Sequence, residues 1–262
     1  MATATDYVDV DTARNARGLR LVLTRGVPGP WGESAKGIFW VKRVPYLRVA
    51  QEGAGANDEL VAWTGHANAP VAVYDDEPPR SGWMDILRLA ERIAPEPALI
   101  PDAPTLRATM FGFANELCGE MGFGWSRRLM MLDTMLPRAG DPLAGDGPAQ
   151  TLARRYGYSR AAAAQAPARV AAILGALSSL LRDQYAAGHR FFVGDRLSAL
   201  DIYWAAFAAL VEPLPADLCA TPEYIRPFYV LDDTGVRAAA DPLLLQHRDR
   251  IYNEYLELPV RL

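Results

Sequence analysis

The segment Phe191 to Trp204, Phe-Phe-Val-Gly-Asp-Arg-Leu-Ser-Ala-Leu-Asp-Ile-Tyr-Trp, begins a helix inside an apolar stretch. A helix start leaves backbone N–H groups without intrahelical partners, and away from water they must be capped locally. Ser198 and Asp201 supply the cap. The Ser198 hydroxyl can accept from the Asp201 N–H, and the Asp201 carboxylate can reach back to the Ser198 N–H, a capping box with Asp in the usual Glu or Gln place. Its role is structural, nucleating a core helix, and it says nothing direct about chemistry.

The chain has 262 residues, half of them hydrophobic, and a formal net charge of −4. That length suits one or two globular domains with a sizeable core. No basic run exceeds two adjacent Lys or Arg, so no nucleic-acid footprint is present. Cys118 and Cys219, the only cysteines, lie about a hundred residues apart, which fits reduced thiols in a cytoplasm better than a disulfide framework. His66, His189 and His247 have no ligand spacing, so no metal is implied. Residues 1–17 are polar with no signal-like stretch, and no run approaches the roughly 20 apolar residues that cross a bilayer. The expected location is therefore the cytoplasm, away from membrane and nucleic acid.

Leu19 to Thr24 reads as a buried strand ended by Gly26 and Pro28. Ala35, Ile38 and Phe39 then keep helical spacing, and Val44 to Ala50 returns to strand character, giving a β-α-β unit. Leu60 to Trp63 is ambiguous. Ala69 to Tyr74 is a strand that begins with Pro70 and so lacks one ladder donor. After the turn at Asp75-Asp76-Glu77, Met84, Leu87, Ile86, Leu89, Ala90 and Ile93 mark a helix.

Prolines at 95, 97, 101 and 104 break regular structure and read as a linker. Beyond them only helical patterns occur. Leu106, Met110, Phe113 and Leu117 share one helix face, as do Val170, Ile173, Leu174, Leu177, Leu180 and Leu181 between Pro167 and Gly188. Asp241-Pro242 opens a last helix, and Pro137 to Pro148 is a loop.

The run Phe192-Val193-Gly194-Asp195-Arg196, then Ser198 and Asp201, resembles the capping segment in the helical domain of cytosolic glutathione transferases. The strand and helix order ahead of it, with X-Pro heading the third strand, resembles their thioredoxin-like domain. The implied fold class is an α+β thioredoxin-like N-terminal domain followed by an all-α helical bundle. The corresponding boundaries are an extension at 1–17, a glutathione-binding domain at 18–95, a linker at 96–104 and a helical domain at 105–262.

That resemblance implies a glutathione thiolate held where the first strand meets the first helix, since a helix N-terminus offers free N–H groups and a positive dipole end. Trp31 stands in the family's nucleophile position, where its indole donates but forms no mixed disulfide. Ser34 is the nearest hydroxyl and could donate to the thiolate, or serve as a plain turn residue. Should it not, the Trp31 indole or backbone N–H groups around Gly32 and Glu33 inherit the task. Lys36 matches the family's basic position, as a ligand contact or a solvated charge.

Ala69 would pair through its backbone with the cysteinyl part of the tripeptide, with Ala69-Pro70 cis. The family's acidic-Ser pair falls on Arg80 and Ser81, the acid replaced by Arg. Arg80 could clamp a carboxylate, and Ser81 could bind ligand, cap the next helix, or both. An acceptor pocket between the domains would draw on Phe113, Phe123 and Trp125, although most such aromatics simply pack.

The implied function is activation of glutathione, as cosubstrate, for attack on a small apolar electrophile by a homodimer. The alternatives are a non-catalytic ligand-binding or assembly module and a glutathione-dependent lyase or etherase.

Overall fold

The computed structural model describes residues 7–262. Two compact units emerge from it. The first comprises the chain up to Leu99 together with Leu214–Glu223 and Tyr252–Leu262; the second comprises Ile100–Pro213 and Tyr224–Ile251.

The first unit is built on β1 (Tyr7–Val8), α1 (Val10–Asn15), β2 (Leu19–Thr24), α2 (Pro30–Val41), β3 (Tyr46–Gln51), α3 (Asp58–Thr64), β4 (Val71–Tyr74) and α4 (Trp83–Ile93). The sheet order is β1-β3-β2-β4. As the central strand, β2 is buried almost end to end, which explains its run of leucine and valine. It pairs parallel with β3, from Leu19↔Tyr46 to Thr24↔Gln51, and antiparallel with β4, from Leu19↔Tyr74 to Val22↔Val71. Arg80 adds an antiparallel bridge to Ala72 on the far side of β4.

Residues 7–15, part of the stretch expected to be a polar extension, add an edge strand and a short helix to this unit. Tyr7 and Val8 pair with Arg48 and Val49. Asp9 caps α1 by accepting from the Thr12 N–H at 2.7 Å. Val10 and Ala13 enter the cluster of Val22, Val49, Leu60, Val71 and Val73. A helix of six residues with two buried positions shows too little of a 3.6-residue period to be read from sequence. The ambiguous stretch near Leu60 is α3, entered through Asn57 at φ 56.

The end of the chain returns to the same unit. The Val260 N–H donates to Leu218 O at 2.7 Å, and Arg48 lies 3.7 Å from Glu257. At the exit of α4, the buried Lys42 ammonium meets Glu91 at 2.7 Å and the carbonyls of Ala94 and Pro97 at 2.7 and 3.0 Å. Three donors find three acceptors, and the first half of the proline segment is fixed onto the unit.

The second unit is helical: α5 (Pro104–Cys118), α6 (Phe123–Met135), α7 (Pro148–Arg155), α8 (Arg160–Ala186), α9 (Ala199–Phe207), α10 (Arg226–Tyr229), α11 (Thr234–Ala238) and α12 (Pro242–Tyr255), whose last turn is counted with the first unit. Helix α8 does not begin at Pro167 but runs through it from its Ser159 cap. By length and composition alone α8 could cross a membrane, contrary to the reading of the sequence. In the fold its stripe of Val170, Ile173, Leu174, Leu177 and Leu181 is buried in the bundle, chiefly along α6.

The capping box at the start of α9 is formed, and it is larger than two residues. The fully buried Asp201 carboxylate accepts from the N–H groups of Phe192 and Ser198 at 3.0 and 2.9 Å and from Ser198 Oγ at 2.8 Å. His247 on α12 adds Nε2 at 2.9 Å. The carboxylate accepts, so Nε2 carries the proton. Arg250 Nη2, 3.2 Å from Nδ1, only donates, which fixes the tautomer.

Asp201→Ala strands three buried N–H groups, and the expected loss is about 3–5 kcal/mol, larger than for an exposed cap. Urea denaturation tests this; a loss below about 1 kcal/mol would show that the box carries little. A chain ending at Leu99 lacks both returning segments of its own unit. It should give no cooperative melt and no dispersed amide spectrum.

Candidate functional site

Two helix starts and the Ala69-Pro70 peptide come together at one end of the sheet. Helix α2 starts just after β2, from a Gly29 N-cap that offers no side chain, with Pro30 at the first position. The Glu33 N–H bonds back to Gly29 O at 2.9 Å, while the Gly32 N–H has no hydrogen-bond partner among the described residues. Extending the Val22↔Val71 register sets Ala69 and Pro70 beside Leu23 and Thr24, at this same end. The Ala69-Pro70 peptide is cis, as are Glu96-Pro97 and Leu258-Pro259. Neither backbone group of Ala69 makes a hydrogen bond with the described residues.

The Ala72↔Arg80 bridge continues the lattice and brings Ser81 and Gly82 alongside Val71 and Pro70. Helix α4 therefore also starts at this end, N-capped by Gly82 without a side-chain bond. Ser81 does not cap the helix. It is exposed, one residue ahead of the cap, and its hydroxyl has no partner among the described residues. Two helix N-termini, each with a positive dipole end, thus flank an unpaired stretch of backbone.

The remaining expected residues are disposed differently. Ser34 is 2% exposed and donates its hydroxyl to the Pro30 carbonyl one turn back. Such back-bonding is what a serine inside a helix does when no ligand competes. Trp31 sits half-buried in the first turn of α2. Arg80 pairs with Glu77 at 2.8 Å, and Glu77 also takes Arg92 at 2.5 Å. The hydrogen bonds from Arg92, then Arg80, hold the Glu77 carboxyl below its ordinary range.

Lys36 is the clearest departure. Its buried Nζ donates to both Glu33 oxygens, at 3.0 and 2.8 Å, and to the Arg261 carbonyl. Three donors are spent on three acceptors, so the side chain fastens the C-terminal segment to α2. Burial pushes the Glu33 carboxyl up, with Lys36 opposing it, and pushes the nearby Tyr46 phenol up to about 12. The space left between α2 and the returning segment is about 20 Å³, lined by Glu33, Lys36, Trp40, Tyr252, Leu256 and Val260, room for no more than a water.

In the helical unit, Phe123 is fully buried against Trp204, centroids 6.1 Å apart. Trp125 meets Tyr156 edge-on at 4.9 Å within the cluster of Leu129, Leu132 and Ala166. Both pack as core. Phe113 is half-buried on α5.

Sequence reasoning missed Gln51. Buried at the end of β3, it accepts from Thr24 Oγ1 at 2.7 Å and donates to Ala67 O at 3.1 Å, steadying the approach to Ala69. Its only signal is a polar residue closing an apolar strand.

No protein-family pattern matches the chain, and no curated protein matches it in sequence. Solved structures do match. A glutathione S-transferase of Methylobacterium radiotolerans in complex with glutathione sulfonate superposes with a TM-score of 0.62 at 18% identity, covering 90% of this chain and 91% of the other. A rice enzyme in complex with glutathione gives 0.58 at 20%, covering 94% of each. A Methylobacillus flagellatus glutathione S-transferase with glutathione bound gives 0.63 at 14%, covering 90% and 96%. The chain has the glutathione S-transferase fold.

Lys36→Met leaves Glu33 with no hydrogen-bonded cation and only the charge of Arg48, and should destabilise the protein by about 2–4 kcal/mol. Adding Glu33→Gln should recover much of that loss. Denaturant midpoints for the three proteins measure it, and a fully stable single variant would mean Lys36 is not a fastening residue.

Proposed function

We propose that this protein binds glutathione at the sheet end where α2 and α4 begin and activates its thiolate for attack on a small apolar electrophile. The observation that carries the reading is the convergence of two uncapped helix N-termini on the unpaired Ala69 backbone. The family resemblance and the glutathione complexes of the similar structures support it. A homodimer in the cytoplasm belongs to the same reading.

The cysteinyl part of the tripeptide pairs with the N–H and C=O of Ala69 as a short strand, which any side chain at 69 tolerates. A carboxylate meets the α4 N-terminus and the Ser81 hydroxyl. Arg80 lies one residue earlier and can turn from Glu77 to the same anion. The sulfur lies at the start of α2. There the Gly32 N–H and the dipole end lower the thiol pKa, and holding the electrophile beside the thiolate supplies the rest of the rate. Ser34, with its hydroxyl on Pro30, supports the helix start rather than the sulfur.

Trp31 in the nucleophile position and the saturation of Lys36 favour a second reading, in which the fold binds glutathione without turning it over. Calorimetry with glutathione and an ultraviolet titration of the bound thiolate separate the cases. Glutathione should bind in the millimolar range or tighter, with the thiolate band present near neutral pH and the same titration in Ser34→Ala. A shift of about one to two units in Ser34→Ala would return the thiolate to that hydroxyl. Binding with no band and no conjugation of an aryl halide would select the second reading, and absence of binding would remove both.

A further inference from the structure

The helical unit contains a cavity of about 410 Å³, within the range of small-molecule sites, and every residue lining it belongs to that unit. On its wall lies Arg127, 3% exposed. Its Nε donates to Leu210 O at 2.8 Å and its Nη2 to Val230 O at 3.3 Å, while Nη1 has only the Met130 thioether at 3.8 Å. No carboxylate among the described residues hydrogen-bonds this buried guanidinium; burial pushes its pKa down to about 10, with the charges of Asp232 and Asp233 across the cavity opposing the shift. A buried cation with no anion in direct contact is costly, and an incoming carboxylate at Nη1 would relieve it.

The rest of the cavity has the opposite character. Asp232 lines it with no hydrogen bond or ion pair to the described residues. Asp133 accepts from Tyr158 Oη at 2.5 Å, and Asp233 accepts from the Val236 N–H at 2.9 Å. Ala163 and Pro167 both face the cavity, and Pro167 has no N–H for the Ala163 carbonyl four residues earlier. These groups accept and do not donate. A simple anion would meet the aspartates, and a simple cation would meet Arg127. Met130, Met131, Phe228 and Val230 give an apolar, adaptable wall between them.

We propose that this cavity binds an apolar α-amino acid. Its carboxylate meets Arg127 Nη1, its ammonium meets Asp232 and the Ala163 carbonyl, and its side chain lies on the methionines and Phe228. Arg127 and Asp232 act on each other through their charges but share no hydrogen bond, and a molecule carrying both counter-charges two bonds apart supplies direct partners to both.

The test is titration calorimetry of the whole chain with L-phenylalanine, glutathione being present throughout to occupy the thioredoxin-like unit. The single-charge controls are 3-phenylpropionate and phenethylamine. Asp232→Asn, at an exposed position, keeps the fold and should weaken phenylalanine binding by about tenfold or more, the worth of one charge-assisted hydrogen bond. The wild type should prefer phenylalanine to either control, and Asp232→Asn should lose its preference over phenylpropionate. The proposal is overturned by no heat at millimolar phenylalanine, by equal binding of either control, or by an Asp232→Asn protein that binds like the wild type.

Discussion

A single buried carboxylate organises the helical unit. Asp201 draws donors from the segment ahead of α9, from the cap itself and from His247 on α12. Each would be an unsatisfied polar group in an apolar surround without it, so the segments are fixed as a set rather than pairwise. Trp204, one turn along α9, repeats the connection by donating Nε1 to Leu244 O at 2.8 Å. The phenyl ring of Phe192 closes over His247 edge-on at 4.7 Å, and Asp201 and His247 are both fully buried.

The thioredoxin-like unit uses buried ammonium groups in the same way. Lys42 binds the exit of α4, and Lys36 binds the end of the chain, each with three acceptors around one nitrogen. The consequence for chemistry is direct. Helix α2 keeps its charged side chains on the face covered by the returning segment, and its N-terminus is left with backbone donors. A site of that kind reads the backbone and the charge of a ligand more than its side-chain detail, which matches an uncapped α4 start and an unpaired Ala69.

Much of the fold was legible. The continuous apolar β2, the X-Pro at the head of β4, the proline-broken segment and the Ser198-Asp201 spacing are all local signals, and local chemistry decides them. The candidate site was legible in part. Ala69 and Ser81 lie at the sheet end where α2 and α4 begin, whereas the Ser34 hydroxyl and the Lys36 ammonium bond to groups of their own chain. Their partners are a carbonyl one turn back and a carbonyl 225 residues on, and the second of these leaves no trace near Lys36 in the sequence.

By itself, then, the sequence determined the strands β2 to β4, the long helices of the second unit and the start of α9. Periodicity and caps are properties of short windows, and short windows contain them whole. Only the tertiary structure decided that residues 7–15 give the first unit its edge strand and α1, and that the last eleven residues return to that unit. It also decided that Phe123 is buried and Trp125 is packed against a core cluster, and that Arg127 and Asp232 line one cavity without a hydrogen bond between them. Whether a side chain meets a ligand or its own chain depends on which distant segment packs against it, and that is settled by the burial of the whole unit.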